Sequence, residues 1–329
     1  MGKYAYAVAR IRAMETRLLD KGKIGRMLEA RDAEGALRVL SESEYADSLA
    51  ELPAPSAYEE LLNAELRRVY AVVEGFAPDD GLFDLLRSRY DFHNLKVLLK
   101  ARHLGLERDD LLVDLGRIEP QRLKEQLRTE GGLPPELRET VQRTEEEYSE
   151  TGDPQLLDLV PDYYMYDYMY KQGQALGDPL IVNYLVKEID LLNIKTCIRL
   201  KRIGGQRPSL DWLFLPHGTV DLRLLQEALR EPWDSLAAKF SATEYAAVVQ
   251  EGLRYLESNN SLTGYEALAE AHLLEHMRTA KYVAFGPEPI SAYLLAKELE
   301  TRLIRMIMVG KINNLPQEAI RERLSDVYA

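Results

Sequence analysis

One helical phrase occurs three times in these 329 residues, at intervals of about a hundred. It reads Asp91-Phe-His-Asn94-Leu-Lys96-Val-Leu98-Leu99-Lys100-Ala-Arg102, then Asp190-Leu-Leu-Asn193-Ile-Lys195-Thr-Cys197-Ile198-Arg199-Leu-Lys201. A looser third copy reads Glu300-Thr-Arg-Leu303-Ile-Arg305-Met-Ile307-Met308-Val-Gly-Lys311. Each copy opens on an acid and carries a base five residues on and another eleven on. The acids lie 99 and then 110 residues apart, beyond the roughly 30 to 50 residues of familiar helical solenoid units. The chain is therefore expected to hold three similar helical domains, at 1–108, 109–207 and 208–329.

The fold class follows from the residues between the phrases. Leu, Ala, Glu and Arg recur at three- and four-residue spacing, and the Asn-Gly or Asp-Gly turns between Val/Ile runs that mark hairpins are missing. This predicts an all-α protein. Breaks fall at Pro53-Ala-Pro55, Pro78-Asp-Asp-Gly81, Gly131-Gly-Leu-Pro134-Pro135, Gly177-Asp-Pro179, Gly204-Gly205 and Gly286-Pro287-Glu-Pro289. The breaks repeat too: Pro78 and Pro287 each stand 13 residues before their acid, and Pro179 and Pro289 each stand 11 before theirs. A proline in the first helical turn forfeits no hydrogen bond, so each long helix is predicted to start at a proline. Amphipathic helices precede the breaks, at Tyr58 to Val73, Asp162 to Leu176 and Tyr265 to Val283. Downstream, Gly116-Arg-Ile118, Leu123 and Leu127 match Gly218-Thr-Val220, Leu225 and Leu229 in spacing.

On a helical wheel the positions at +4, +7 and +8 from the acid form one apolar stripe: Leu95, Leu98, Leu99; Ile194, Cys197, Ile198; Ile304, Ile307, Met308. The bases at +5 (Lys96, Lys195, Arg305) and at +9 (Lys100, Arg199) lie on the far side. Two readings stay open for them. They form a solvated face, or three equivalent helices around a pseudo-threefold axis direct them at one shared partner. The acids Asp91, Asp190 and Glu300, with Asn94 and Asn193, border the buried stripe, where an unpaired carboxylate would cost several kcal/mol or protonate. Their recurrence marks them as structural positions.

Composition excludes several classes. A net charge of −12 argues against a protein that coats nucleic acid. The single cysteine, Cys197, permits no internal disulfide and no multi-cysteine zinc site, and its apolar neighbours suggest a buried thiol. The opening Met-Gly-Lys-Tyr-Ala-Tyr lacks a signal-peptide core, and no run approaches the roughly 20 uncharged residues of a membrane span. No phosphate-binding glycine loop, dinucleotide fingerprint or nucleophile elbow is present, so no cofactor is implied. His272-Leu-Leu-Glu275-His276 has the H-x-x-E-H form of one metallopeptidase class, with Glu288, Glu298 and Glu300 available as a third ligand. A zinc-dependent hydrolase is thus one alternative, and a generic helical scaffold another. The tyrosine-rich segment from Asp162 to Tyr170 reads as core packing with hydroxyls reaching polar partners, with a protein-binding surface as the alternative.

The opening Tyr4-Ala-Tyr6-Ala-Val-Ala-Arg10-Ile-Arg12-Ala-Met-Glu15, the two Asp-x-x-Asn-[Leu/Ile]-Lys phrases and the tail from Phe285-Gly-Pro to Tyr328 together resemble the C-subunit family of V/A-type ATP synthases, whose eukaryotic counterpart is the V-ATPase d subunit. The resemblance spans nearly the whole chain. It departs in the third phrase, where Leu303 stands for asparagine and Arg305 for lysine. The resemblance implies an all-α funnel of three helical domains around a pseudo-threefold axis, without catalytic activity. It implies a cytoplasmic protein, peripheral to the membrane, that seats on the proteolipid ring and receives the central rotor shaft. On this reading the +5 and +9 bases belong to the socket or its rim.

Overall fold

The computed structural model describes residues 3–50, 52–78, 81–129, 131–204 and 212–329. Gly205, the boundary expected near 207, and Asp79 and Asp80 lie outside the described residues. Among the described residues every regular element is a helix and no strand occurs. In chain order the first helices are α1 (Ala5–Glu15), α2 (Lys21–Glu29), α3 (Ala33–Leu40), α4 (Ala46–Ala50) and α5 (Tyr58–Glu74). Then come α6 (Leu82–Leu104), α7 (Pro120–Thr129), α8 (Pro135–Thr151), α9 (Leu156–Leu176), α10 (Pro179–Ile203) and α11 (Leu222–Arg230). The last are α12 (Leu236–Lys239), α13 (Ala246–Asn259), α14 (Thr263–Arg278), α15 (Glu288–Ile312) and α16 (Gln317–Arg321).

The three phrases lie on the three longest helices, α6, α10 and α15. As the break pattern predicts, α10 opens on Pro179, and α15 carries Pro289 as its second residue. The first long helix departs from that pattern. It starts at Leu82, four residues beyond Pro78, because Gly81 turns left-handed at φ 80° and caps it. Its far end stops at Gly105, φ 63°, whose N–H reaches the Ala101 carbonyl while that of Leu106 does the same. The upstream helix α9 begins earlier than its amphipathic pattern and accommodates Pro161 inside its first turns. The helix expected to run to Val283 ends at Arg278 and continues as a single tighter turn, Thr279–Tyr282.

Residues pack into two compact units, Met1–Asp79 with Asp178–Tyr184 and Asp234–Ala329, and Asp80–Gly177 with Leu185–Trp233. In the second unit α6 and α9 pack along their length, with α7 and α8 against them. Leu85, Leu86, Phe92, Leu95 and Leu99 of α6 and Val160, Met165, Tyr166 and Met169 of α9 are buried in its core. In the first unit α15 is the central element, touching α1, α2, α3, α5, α14 and α16. Its apolar residues cover most of its circumference, as a largely buried helix requires, and leave one side to Arg302, Arg305 and Val309. Ala292, Leu294, Leu295, Leu299, Leu303, Ile304, Ile307 and Met308 are all buried there. Each such leucine, isoleucine or methionine contributes about 1.5–3 kcal/mol of transfer free energy. All nine stripe positions of the three phrases are buried as well, Cys197 among them.

Candidate functional site

The acid that opens each phrase is buried, and each holds a segment of chain that is not on its own helix. Asp91 accepts from the backbone N–H of Ile118 at 3.1 Å and from Arg117 Nε at 2.6 Å. Asp190 accepts from the N–H groups of Val220 (2.9 Å) and Thr219 (3.0 Å) and from the Thr219 hydroxyl (2.6 Å). Three residues on, the asparagines add a two-way bridge. Asn94 donates Nδ2 to the Val113 carbonyl at 2.8 Å while Oδ1 accepts from the Val113 N–H at 2.8 Å. Asn193 does the same with Leu215, at 2.9 and 2.7 Å. Acid and amide together pin one extended loop to each helix, satisfying its backbone where helix and sheet partners are absent.

The loop glycines Gly116 and Gly218 belong to these latches. A Cβ on Gly116 would lie 2.3 Å from Asp91 Oδ1, and one on Gly218 would lie 2.3 Å from Asp190 Oδ1. Only glycine lets the backbone come so close to the carboxylate. Burial pushes the Asp91 carboxyl up from its ordinary value, and the Arg117 guanidinium and the loop N–H groups pull against that shift without cancelling it. Arg117 also reaches Glu136 and the Tyr168 hydroxyl, each at 2.8 Å, so its charge is shared.

Glu300 holds its segment differently. Its Oε2 accepts from the Leu19 N–H at 2.5 Å, and its Oε1 accepts from the Tyr45 hydroxyl at 2.9 Å and from Lys297 Nζ at 2.7 Å. Lys297, only 2% exposed in its side chain, also meets Glu65 at 2.8 Å, and Glu65 pairs with Arg68 at 2.8 Å. Burial alone would lower the Lys297 ammonium, but Glu300 and Glu65 outweigh it and the group is raised. Burial, with Glu300 beside it, drives the Tyr45 phenol well above its usual range. Lys297 and Glu65 both lie outside the three repeated phrases. The signal was present in part: Lys187 and Lys297 both stand three residues before their acid, where Ser88 stands in the first copy.

Three of the bases on the far side of the wheel, Lys96, Lys100 and Arg305, meet acids of the same chain. Lys96 Nζ lies 2.7 Å from Asp162 and 3.9 Å from Asp158, and Lys100 lies 2.6 Å from Asp158. Arg305 forks onto Glu59 at 2.7 and 2.9 Å. Lys195 is half-buried, whereas Arg199 is exposed. The bases at +11 cap helix ends instead. Arg102 donates to the Leu127 carbonyl at 2.8 Å, Lys201 to those of Ala228 (2.9 Å) and Glu231, and Lys311 to those of Leu28 (2.6 Å) and Ala30.

The two histidines of the H-x-x-E-H segment turn to different partners, His272 to Glu244 at 3.1 Å and His276 to the Leu180 carbonyl at 3.0 Å. Glu275 pairs with Arg278. Among the described residues no three His, Cys, Asp or Glu side chains are grouped to hold a metal ion. In the tyrosine-rich segment Tyr166 is buried, Tyr163 and Tyr164 pack on Trp212, and Tyr170 stacks on His217 at 4.2 Å. No helix among the described residues is long and apolar enough to cross a membrane.

Comparison with known proteins places this arrangement. The model of the ATP synthase (C/AC39) subunit family matches residues 7–323. The chain is 26% identical over 320 residues to the C subunit of the V-type sodium ATPase of Enterococcus hirae, covering 97% of both proteins. It is 26% identical over 345 residues to the C subunit of the A-type ATP synthase of Methanocaldococcus jannaschii, covering 98% of this chain and 86% of that one. With the corresponding C subunit of the A-type ATP synthase of Haloferax volcanii it shares 28% over 349 residues, covering 97% and 96%. With repeat, latches and family match running through the same residues, the chain belongs to the ATP synthase (C/AC39) subunit family.

Proposed function

We propose that this member of the V/A-type ATPase is a non-catalytic adaptor of the central stalk. It joins the rotor shaft to the proteolipid ring on the cytoplasmic side and passes torque between them for ion transport coupled to ATP synthesis or hydrolysis. The match to rotary-ATPase subunits along 97–98% of the chain carries this reading. The use of the repeated polar residues supports it. Asp91, Asn94, Asp190, Asn193 and Glu300 hold the chain's own backbone, which suits a part that must keep its shape under load. The division into three repeat domains, and their arrangement about a common axis, is part of the same proposal.

The five bases remain the proposed partner contacts, and their surroundings rank them. Arg199 is exposed, so it is the base most open to an acidic partner. Lys100, Lys96 and Arg305 must first exchange Asp158, Asp162 and Glu59 for that partner. The experiment is co-purification of the full chain with the shaft protein and ring of its own complex. Arg199→Glu with Lys100→Glu is expected to weaken shaft binding more at low salt than at high. Unaltered low-salt binding removes these bases from the socket. Failure to co-purify with either partner removes the adaptor reading. The swap Lys96→Asp with Asp162→Lys separates the two roles of Lys96: it restores the internal pair and leaves any shaft contact reversed.

A further inference from the structure

We infer that the N-terminal segment Leu18–Ala30 is the displaced second half of the third repeat, and that it acts as a clasp closing the chain's two ends on each other. In the first two repeats the segment held by the acid follows it directly in sequence. Ile118 comes 27 residues after Asp91, and Val220 comes 30 after Asp190. In the third, the N–H that reaches Glu300 belongs to Leu19, 281 residues away.

The correspondence extends well beyond that one hydrogen bond. An acidic residue follows each latched N–H and caps the next helix. Glu119 accepts from Arg122 N at 2.9 Å, Asp221 from Arg223 N at 2.8 Å, and Asp20 from Lys23 N at 2.8 Å. Apolar residues then stand five and nine beyond the latched position: Leu123 and Leu127, Leu225 and Leu229, Ile24 and Leu28. The helices so formed, α7, α11 and α2, each end on carbonyls that receive the +11 base of the long helix. Three kinds of contact, in the same order and register, therefore recur with the N-terminal segment in the third place.

The departures of the third phrase also fall into line. Asn94 and Asn193 bridge Val113 and Leu215, which have open backbone groups to offer. The matching residue before Leu19 is Met14, inside α1, whose carbonyl already accepts from the N–H groups of Thr16 and Arg17. No bridge is needed there, and the buried Leu303 replaces the asparagine. Arg17 holds the place of Gly116 and Gly218. A Cβ is admitted there because Glu300, one methylene longer than Asp91, reaches its partner from farther back. Lys297 and Tyr45 then fill the rest of its acceptor sites.

The clasp cannot close until the last long helix has been made, so the N-terminal segment waits for residues near the opposite end. The tail reinforces it: Asp326 pairs with Lys21 at 2.9 Å, and the Tyr328 hydroxyl donates to Glu15 at 3.2 Å. The test is hydrogen exchange on full-length Lys311→Met. Exchange is expected to quicken about tenfold or more across Leu18–Ala30, as one cooperative unit, with 113–129 and 215–230 unaltered. A full-chain circular permutant, with Ala329 joined to Met1 by a Gly/Ser linker and new ends between Pro53 and Ala54, is expected to keep wild-type helicity and the same protection at Leu18–Ala30. Unaltered exchange at Leu18–Ala30 in Lys311→Met, or an equal rise in all three segments, overturns the inference. So does a soluble, helical permutant in which only Leu18–Ala30 has lost protection.

Discussion

Replacing Gly116 with Ala tests the latch by a single methyl group. The added Cβ would sit 2.3 Å from Asp91 Oδ1, whereas ordinary contact begins near 3.4 Å. Loop and carboxylate must separate by about 1 Å, which stretches the 3.1 Å bond from Ile118 beyond hydrogen-bonding range. Arg117 is a flexible side chain and can follow the carboxylate, so one charge-assisted bond is lost outright and a second is weakened. At about 1.5–3 kcal/mol for a hydrogen bond to a charged group, the loss is about 2–4 kcal/mol. Gly116 is not left-handed, so alanine also restricts the unfolded chain and returns about 0.4–1 kcal/mol. The clash wins, and the net cost is expected near 2–3 kcal/mol. Urea unfolding of the full chain, followed by helical circular dichroism, reads this as a lower midpoint at unchanged slope. The control is the same substitution in Asp91→Ala, where the vacated carboxylate site admits the methyl and the added cost falls below about 1 kcal/mol. A Gly116→Ala protein within about 0.5 kcal/mol of wild type, or the same cost in both backgrounds, refutes the steric argument. Gly218→Ala is expected to repeat the result against Asp190.

Other consequences follow from the buried charges. Lys297→Met leaves Glu65 and Glu300 without their shared ammonium and is expected to cost about 3–5 kcal/mol, part of which Glu65→Gln restores; thermal unfolding measures both, and a cost under about 1 kcal/mol refutes the role. At Asp326, burial raises the carboxyl, but Lys21, Arg278 and the Val327 N–H outweigh it and hold the group below its ordinary value. Its contribution to stability is therefore present above about pH 4 and lost as pH falls through the lowered folded value. Asp326→Asn should remove that part of the acid slope, and identical acid profiles for the two proteins would contradict the assignment. Burial pushes the Cys197 thiol up to about 11, opposed in part by Lys201. At pH 8 iodoacetamide is expected to label it slowly in the native protein and rapidly in urea; equal rates would show that the stripe is open.

Periodicity made the helices legible, because a helix buries residues three and four apart whatever lies opposite them. It placed Leu95, Leu98, Leu99 and their counterparts on the buried side. It misplaced the start of α6, since Pro78 permits a helix there while Gly81, by turning left-handed, sets where one begins. The outward side was harder to read. A wheel says that Lys96 and Arg305 point away from the stripe, but not that Asp162 and Glu59 stand opposite them. Likewise, four-residue spacing puts His272 and His276 on one face without revealing that Glu244 and the Leu180 carbonyl engage them separately.

The sequence by itself determined that one helical phrase occurs three times, which residues of each copy are buried, and which polar residues recur beside them. The family resemblance rests on that same order of residues. The tertiary structure decided what the recurring polar residues hold. The glycines at 116 and 218 acquire their reason only when a carboxylate is found against them. The first and last segments become parts of one repeat only when Leu19 is found on Glu300 and Leu28 on Lys311. Local periodicity is written into neighbouring residues and survives inspection of a string. A hydrogen bond across 281 residues leaves no periodic trace, because its partners are chosen by the fold that brings them together.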